Sequence, residues 1–360
     1  MSERRYPSAL LGASGYIGQH FARLLDEHPT FELEVLGAGE RSAGRTLEDV
    51  WQLAEPAPPG LSEQRLDRAT PGRLARAGVR VVFSALPSGT AAAFETELVR
   101  RGVHVFSNAA DHRMDPQVPL LVPEVNADHL GLAARRPKGR GLLVTNPNCS
   151  AAGLVLGIAP LLSLLAPRSV HVTTYQSLSG AGYPGVPSLA ITDNVVPLIA
   201  HEEEKIARES ARMLGRRRGA RVAPLPIPFV TQCARVATRE GHLEAVTVQA
   251  ARRPSLREIL RRLGEYDPLA GRALATAPHP PLEVRPEADR PQPLRDRWAG
   301  RPTRARGMAV TVGRFRWEPP YLRFFLLVHN AVRGGAGGSI LNAELADDGG
   351  WLAVSGGTGP

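Results

Sequence analysis

A glycine-rich turn near the start of the chain constrains the fold most strongly. The run Gly12-Ala-Ser-Gly15-Tyr-Ile-Gly18 follows a short apolar strand and opens a helical stretch at residues 16–27. Glycines allow a tight turn and a close backbone approach, and free N–H groups at a helix start can hold a pyrophosphate. GxxGxxG is a weaker signal than GxGxxG, and a turn that serves packing alone is the alternative. The place between a strand and a helix favours a dinucleotide-binding unit.

Strands and helices alternate through the first half of the chain. Apolar strands are predicted at residues 8–11, 32–36, 79–85, 103–106 and 142–145. This alternation predicts a parallel sheet with helices on both faces. Partial polar–apolar alternation, typical of an antiparallel sheet with one covered face, marks the long runs at residues 170–177, 243–249, 308–315 and 322–329.

The length of 360 residues exceeds what one hydrophobic core usually serves, so two domains are expected. We predict an α/β protein with a Rossmann-type parallel-sheet dinucleotide-binding domain at residues 1–148. An α+β catalytic and dimerisation domain with a largely antiparallel sheet follows at residues 149–330. Residues 331–360 are predicted to pack back on the first domain. Helices at 188–213 and 255–263 are expected to cover the second sheet.

Composition excludes several classes of protein. The net charge is +9, but the arginines are scattered and aromatic residues make up only 5 %, which argues against nucleic-acid binding. Two cysteines cannot form a disulfide framework for a chain of this length, so a reducing compartment is expected. The longest apolar run, residues 151–166, is short and contains Pro160, so no membrane span is predicted. These features predict a cytoplasmic protein.

The loop after the second predicted strand should select between NAD and NADP. It reads Gly39-Glu40-Arg41-Ser42-Ala43-Gly44-Arg45. Guanidinium groups and a hydroxyl suit a 2′-phosphate, because an arginine fork matches phosphate oxygens. Glu40 is a contrary feature, and an ordinary solvated loop is the alternative. We predict a preference for NADP(H).

Cys149 is the candidate nucleophile. It lies in Asn146-Pro147-Asn148-Cys149-Ser150, between a predicted strand and an apolar helix. Pro147 and the two asparagines predict a turn with capping side chains, which places the cysteine at a helix N-terminus. The helix dipole and free N–H groups there would favour the thiolate, whereas a buried small hydrophobe is the alternative. Cys233 lies in an apolar-flanked strand-like segment and is predicted to have no chemical role.

A cysteine nucleophile needs a partner that handles protons. His242 follows a glycine at the start of a predicted strand, where its side chain can project from a sheet end, although it is one of ten histidines. Arg235, seven residues earlier, is suited to bind a carboxylate with two hydrogen bonds.

Several longer segments resemble one known family. They are residues 146–150 (NPNCS), 179–205 (SGAGYPGVPSLAITDNVVPLIAHEEEK), 111–126 (DHRMDPQVPLLVPEVN), 332–345 (VRGGAGGSILNAEL), 40–45 and 289–297. In this order the chain resembles aspartate-β-semialdehyde dehydrogenase, in the branch found in archaea and fungi, over nearly its whole length. The match that begins SGAGYPG is the most specific.

The resemblance implies a role for individual residues. Cys149 would be the acylated nucleophile, His242 the general acid–base and Gln176 the residue that orients the acyl group. Arg235 would bind the α-carboxylate of the substrate and Glu203 its ammonium group. Phosphate would be held by Lys205 and Arg113, with Asn148 beside the site. The NADP-binding residues implied are Gly12, Ser14, Gly15, Tyr16, Ile17, Arg41, Ser42 and Asn330.

The implied reaction is the NADPH-dependent reduction of L-aspartyl-4-phosphate to L-aspartate-4-semialdehyde through a thioester. Reduction of another acyl phosphate, reduction of a CoA thioester such as malonyl-CoA, and a non-catalytic NADP-binding role are the alternatives. Near the site, the chain departs from the family pattern at Ala151, Ala152, Ala234, Ala237 and Leu243. These departures leave the identity of the acyl substrate open. No metal site is predicted, because no ligand cluster follows Asp111, His112 and Asp115. A homodimer or homotetramer is expected.

Overall fold

The computed structural model describes residues 5–353. A six-stranded sheet with all strands parallel occupies the first half, in the order β3-β2-β1-β4-β5-β6. The strand order reverses between β1 and β4, and in such sheets ligands bind beside this point at the carboxyl ends of the strands. The strands are β1 (Tyr6–Leu11), β2 (Phe31–Gly37), β3 (Leu66–Asp67), β4 (Val81–Ser84), β5 (His104–Ser107) and β6 (Leu143–Thr145).

Five helices accompany this sheet, and a twelfth helix from the end of the chain joins them. The five are α1 (Tyr16–Leu25), α2 (Leu47–Val50), α3 (Pro71–Arg76), α4 (Ala91–Arg100) and α5 (Pro123–Asn126). Every residue of β4 is buried, because helices cover both faces of the sheet. The last helix, residues Gly337–Asp348, contributes Ile340 and Ala343 to the same core as Phe21 and Phe83. Residues 354–360 of the predicted C-terminal segment lie outside the described residues.

The second half forms a mixed six-stranded sheet in the order β10-β7-β11-β14-β13-β12 and a small hairpin, β8–β9. The central pairs β7–β11, β11–β14 and β13–β14 are antiparallel, while the edge pairs β7–β10 and β12–β13 are parallel. The strands are β7 (Pro167–Gln176), β8 (Arg216–Arg218), β9 (Arg221–Ala223), β10 (Phe229–Arg235), β11 (His242–Ala250), β12 (Leu282–Arg285), β13 (Val310–Glu318) and β14 (Tyr321–Val328).

Helices cover one face of the second sheet. The helices that pack on its strands are α6 (Cys149–Ile158), α9 (Glu202–Met213) and α10 (Leu256–Gly264). The other helices of this part of the chain are α7 (Leu162–Leu165), α8 (Ser188–Ile191) and α11 (Pro293–Asp296), and α12 (Gly337–Asp348) is the last helix described above. Burial alternates strictly along β11, as expected for a sheet with one covered face. On the other face Tyr175 and Val230 are exposed. None of the helices in residues 5–353 has both the length and the apolar character that crossing a membrane requires.

The single helix predicted at residues 188–213 is wrong in its extent. The structure has two helices there, α8 and α9, with an irregular connection between them. Pro197 lies in the connection, and a proline lacks the N–H group that an uninterrupted helix needs. His201 adopts a left-handed conformation (φ 60°) immediately before α9. The position of this restart fixes which face of α9 points towards the nucleophile.

Candidate active site

Cys149 is the first residue of α6, directly after the turn that leaves β6. Asn148 caps the helix, because its Oδ1 accepts hydrogen bonds from the backbone N–H groups of Ser150 (2.9 Å) and Ala151 (3.1 Å). Its Nδ2 donates to Glu202 Oε1 (2.8 Å). The turn predicted around Pro147 is therefore present, and the cap connects the nucleophile's helix to α9.

Gly334 packs against the nucleophile from the other side. A Cβ atom built on Gly334 would lie 2.5 Å from the Cβ of Cys149, closer than side chains approach one another. Gly334 belongs to a π-helical segment, Val332–Ala336, that leads into α12. A glycine is needed at this position because Cys149 approaches too closely for a side chain. No pattern within residues 332–345 indicated which residue Gly334 approaches.

His242 is the first residue of β11, and its ring contacts the nucleophile. Nε2 lies 3.1 Å from the Sγ of Cys149. On the other side of the ring, Nδ1 accepts a hydrogen bond from the backbone N–H of Ser177 (3.1 Å). The side chain is fully buried, and burial together with the charge of Arg235 lowers the pKa of His242 to about 3.

The surroundings of Cys149 act on the pKa of its thiol in opposite directions. Burial raises the pKa of its thiol to about 12, and the charge of Glu202 acts in the same direction. Arg113, the N–H of Ser150 and Arg235 lower it. The helix start therefore offsets part of the effect of burial, because desolvation of a thiolate outweighs the donors around it.

Cys233 is the comparison within the same chain. It is buried in β10, and its backbone N–H donates to Glu203 Oε1 (2.9 Å). Burial raises the pKa of this thiol to about 12 as well. The two cysteines are therefore distinguished by surroundings rather than by thiol acidity. Cys149 faces a cavity and a histidine, whereas Cys233 faces the core.

A cavity of about 460 Å³ opens at Cys149 and is lined by residues from both halves of the chain. Three predicted residues line it with their polar groups fixed. Arg235 donates through Nη1 to the carbonyl oxygen of Ser177 (2.7 Å), Gln176 donates through Nε2 to Glu202 Oε1 (3.0 Å), and Arg113 donates through Nη1 to Glu209 Oε1 (3.1 Å). The cavity thus combines a thiol, two guanidinium groups and a carboxylate, a set suited to a small zwitterionic or anionic substrate.

Glu203, implied by the resemblance as a substrate ligand, does not line this cavity. Its side chain is exposed and accepts a hydrogen bond from β10. The cavity carboxylate belongs to Glu202, which is 8 % exposed and accepts from both Asn148 and Gln176. Buried Glu202, Ile206 and Glu209 lie at helical spacing along α9, a pattern in the sequence that indicates Glu202 as the inward residue. Lys205 is half-buried and is also outside the cavity lining.

The turn before α1 has the shape of a dinucleotide cradle. Gly12 has φ +77°, and a Cβ on Gly18 would lie 2.0 Å from the carbonyl oxygen of Gly12. Gly15 precedes α1 without a side-chain cap, so N–H groups at the helix start are available to a pyrophosphate. Ile17 lines the same cavity as Cys149, which connects this turn to the nucleophile. These residues fit a bound dinucleotide.

The other predicted cofactor residues differ in their surroundings. Ser14 is half-buried in the turn, whereas the hydroxyl of Tyr16 hydrogen-bonds to the Glu240 carboxylate, away from the turn. Asn330 lines the cavity; its Oδ1 accepts from the Gly241 N–H (2.9 Å), and its Nδ2 donates to Ser179 Oγ (2.9 Å).

The loop predicted to select NADP lies at the carboxyl end of β2. Arg41 is exposed, and Ser42 is half-buried with its N–H bonded to Gly39. Glu40, the contrary feature of the sequence, forms an ion pair with Arg68 (2.8 Å). Its charge is therefore directed to a neighbouring cation, which leaves Arg41 as the residue suited to a 2′-phosphate.

Comparisons with known proteins agree with this architecture. Two family models match, "Semialdehyde dehydrogenase, NAD binding domain" at residues 8–133 and "Semialdehyde dehydrogenase, dimerisation domain" at residues 158–333. An aspartate-semialdehyde dehydrogenase of Archaeoglobus fulgidus is 44 % identical, over 95 % of this chain and 98 % of the relative. A malonyl CoA reductase (NADP) of Metallosphaera sedula is 36 % identical, over 97 % and 99 %.

A solved structure gives the same result at the level of the fold. The crystal structure of Candida albicans aspartate semialdehyde dehydrogenase with NADP matches with a TM-score of 0.85 and 33 % identity. The match covers 96 % of this chain and 99 % of the Candida albicans chain. Both halves of the chain, and the order of their elements, are thus shared with relatives of known structure. The chain belongs to the semialdehyde dehydrogenase family.

Proposed function

We propose that this protein catalyses the NADPH-dependent reductive dephosphorylation of L-aspartyl-4-phosphate to L-aspartate-4-semialdehyde through a thioester on Cys149. One observation carries the proposal: the Sγ of Cys149, at the start of α6, lies 3.1 Å from His242 Nε2 and faces a cavity that reaches Ile17. A thiol beside a histidine and beside a dinucleotide cradle is suited to acylation followed by hydride transfer.

Each charged residue of the cavity binds a different group of the substrate. Arg235 binds the α-carboxylate, because its guanidinium lines the cavity and its charge acts on His242. Glu202 binds the α-ammonium group, and this role replaces the one that the resemblance implied for Glu203. Arg113 binds the phosphate. Lys205 lies outside the cavity lining, so its part in phosphate binding stays a prediction.

The reaction runs in three steps at the sulfur. The Cys149 thiol loses its proton, with His242 beside it (3.1 Å) as the general acid–base; the sulfur then forms a C–S bond to the acyl carbon, and the C–O bond to phosphate breaks. When bound between the α1 turn and Cys149, NADPH supplies the hydride that reduces the thioester. The resulting thiohemiacetal oxyanion then collapses, which breaks the C–S bond and releases the aldehyde. Gln176 and Asn148 both donate to Glu202 Oε1, and Gln176 orients the acyl group during these steps.

Malonyl-CoA reduction is the second candidate, because a relative with that printed name is 36 % identical over nearly the full length. Glu202 argues for the aspartyl substrate, since a buried carboxylate attracts an ammonium group and repels a second carboxylate.

An NADP(H) preference follows from Arg41 and Ser42. The exposed sheet face with Tyr175 and Val230 supports a homodimer, which light scattering tests. Two free cysteines support a cytoplasmic location.

A panel of acyl phosphates and CoA thioesters with NADPH, followed by absorbance of the reduced nicotinamide, tests the proposal. We expect turnover with aspartyl-4-phosphate and much slower turnover with N-acetylglutamyl phosphate and malonyl-CoA. Cys149→Ser should lose turnover by several orders of magnitude while retaining NADP binding. Wild-type turnover in Cys149→Ser would refute the nucleophile, and a preference for malonyl-CoA would refute the substrate.

A further inference from the structure

A pocket at the amino ends of β4 and β5 brings several arginine side chains together. Its volume is about 290 Å³, and it lies at the sheet edge opposite to the dinucleotide turn. Arg80 directly precedes β4, and His104 is the first residue of β5; Arg101, Arg136 and Arg140 complete the titratable lining. No aspartate or glutamate among residues 5–353 lines this arginine pocket. The lining is therefore positively charged and attracts anions.

Three of the four guanidinium groups have no carboxylate partner. Arg101 is paired with Glu97, whose Oε1 lies 2.8 Å from its Nε. In the part of the chain that the structure describes, no carboxylate oxygen lies within 4.0 Å of a guanidinium nitrogen of Arg80, Arg136 or Arg140. The side chains of Arg80 and Arg140 also make no hydrogen bond to the described residues. Their N–H groups are therefore available to a ligand.

Arg136 is the most constrained of these cations. Its Nη2 donates to the carbonyl oxygen of Trp351 (3.0 Å), and its guanidinium carbon lies 5.6 Å from the centre of the Trp351 ring. Arg136 is half-buried, and burial lowers the pKa of its guanidinium. A partly desolvated cation without a counter-ion is unfavourable, and a bound anion removes that cost.

The ring of His104 shows that two of the cations act on one place. Its side chain is buried, and Nδ1 accepts a hydrogen bond from the Leu142 N–H (3.0 Å). Burial, followed by the charges of Arg136 and Arg80, lowers the pKa of His104 to about 4, although the Leu352 carbonyl acts in the opposite direction. His104 is thus neutral at physiological pH, and its ring lies within the field of both guanidinium groups.

A second pocket of the same chain shows how arginines are usually compensated here. Arg23, Arg304 and Arg306 line a pocket of about 530 Å³, but Asp26 and Glu55 line it too. Arg23 is paired with Glu55 (3.3 Å), and Arg304 donates to backbone carbonyl groups at the end of α1. Abundant arginine in the sequence therefore does not by itself produce a pocket without acids.

The arginine pocket is separate from the cavity at Cys149. His104 begins β5, whereas Asn108 follows the last residue of β5 and lines the catalytic cavity. Four residues of strand, at about 3.3 Å each, separate the two sites by about 13 Å. Among residues 5–353, no residue lines both cavities. An anion in the arginine pocket is therefore distinct from the substrate of Cys149.

We propose that the arginine pocket is a second anion site, which binds a phosphate group as inorganic phosphate or as a phosphate monoester. A phosphate group has three terminal oxygens and carries close to two negative charges at neutral pH, which matches several converging guanidinium groups better than a single carboxylate does. A volume of about 290 Å³ suits a small ligand. This site goes beyond the proposed function and uses none of the residues assigned to it.

The ring signals of His104 provide a local probe of the pocket. They are observed by NMR in protein with labelled histidine and identified by their loss in His104→Gln. At about pH 7.5, with ionic strength held constant by sodium chloride, we expect inorganic phosphate to shift them saturably with a Kd on the order of 1 mM. Adenosine monophosphate is the ester probe: tighter binding than phosphate identifies a monoester as the ligand, and equal or weaker binding identifies free phosphate.

Matched variants separate the pocket from general charge effects. Arg80→Gln should weaken phosphate binding by about tenfold or more, because one charged donor is lost. Arg76→Gln removes the same charge from an exposed position outside the lining, and its Kd should stay within about twofold of the wild type. Arg113→Gln, which alters the proposed phosphate ligand near Cys149, should leave the titration of His104 unchanged.

Three results would overturn the inference. They are the absence of a saturable shift with phosphate, an equal shift with sodium chloride alone, and an unchanged Kd in Arg80→Gln. If Arg80→Gln does not fold, the exposed Arg140→Gln makes the same test. A titration of His104 that disappears in Arg113→Gln would assign the phosphate to the cavity at Cys149 and would also refute a second site. The measurement requires no turnover, so its failure is distinct from a failure of the proposed function.

Discussion

The charge of Glu202 offers the sharpest test of the site, because sequence and structure assign its role to different residues. In Glu202→Gln, the new amide oxygen can still accept from Asn148 and Gln176, which now donate to Glu202 Oε1 at 2.8 and 3.0 Å. The hydrogen bonds of the site are then kept, and the negative charge alone is removed. Any loss of activity therefore reports the electrostatic part of substrate binding.

The magnitude follows from Coulomb's law. An ammonium about 4 Å from the carboxylate, at an effective dielectric constant of about 20, is stabilised by about 4 kcal/mol. Because a neutral amide still offers a dipole, we expect a loss of about 2–4 kcal/mol, or about 30- to 1,000-fold in kcat/KM for aspartyl phosphate. The Cys149 thiol should respond in the opposite direction. Glu202 raises its pKa, so Glu202→Gln should increase the alkylation rate of Cys149 by iodoacetamide.

Glu203→Gln is the matched control, with the same chemical change one residue along the helix. Glu203 is exposed and accepts from the Cys233 N–H, which a glutamine oxygen can also accept. We expect kcat/KM within about threefold of the wild type and an unchanged alkylation rate. Steady-state kinetics and mass spectrometry of the alkylated peptides measure both quantities. An equal loss of activity in the two variants, or near wild-type activity in Glu202→Gln, would refute the assignment.

Three further predictions follow from particular contacts. Gly334→Ala places a methyl group 2.5 Å from the Cβ of Cys149, so kcat should fall by about 100-fold while NADP binding is retained. Gly264→Ala is the control, because a Cβ at Gly264 meets nothing within 4 Å. Burial raises the pKa of Glu244 well above 4.5, so its contribution to stability is complete below about pH 4.5 and is lost as pH rises towards its folded-state pKa. Chemical denaturation should show a flatter decline of stability above about pH 4.5 for Glu244→Gln, and an unchanged slope would contradict this. Arg41→Ala should reduce the preference for NADPH over NADH by about tenfold or more, measured as the ratio of kcat/KM values.

The parts of the site that sequence reasoning located are those set by local backbone chemistry. Asn148 and Pro147 dictate a turn and a cap, so Cys149 had to lie at a helix start. The glycines from Gly12 to Gly18 dictate a strand–turn–helix unit for the same reason. Arg235 was located from its guanidinium and its place seven residues before His242, whereas Gln176 came from the resemblance alone, because no local pattern singled it out.

The errors lie where several elements pack together. The choice between Glu202 and Glu203 depends on the helical phase of α9, which starts only after Pro197 and the left-handed His201. The N–H of Ser150 at the helix start lowers the pKa of the Cys149 thiol, as the sequence indicates, but burial raises it, and the desolvation of a thiol depends on what packs around it. The approach of Gly334 joins positions 185 residues apart in the sequence.

Local sequence thus specifies the two kinds of sheet, the cradle for a dinucleotide and the turn that presents the nucleophile, since each depends on neighbouring residues and on the periodicity of strands and helices. Tertiary structure alone decides which acid faces the cavity, how costly a charge on Cys149 is, and which groups surround the ring of His242. These properties depend on distances between segments remote in sequence, because desolvation and hydrogen bonding are set by whichever groups the packed fold brings within a few ångströms.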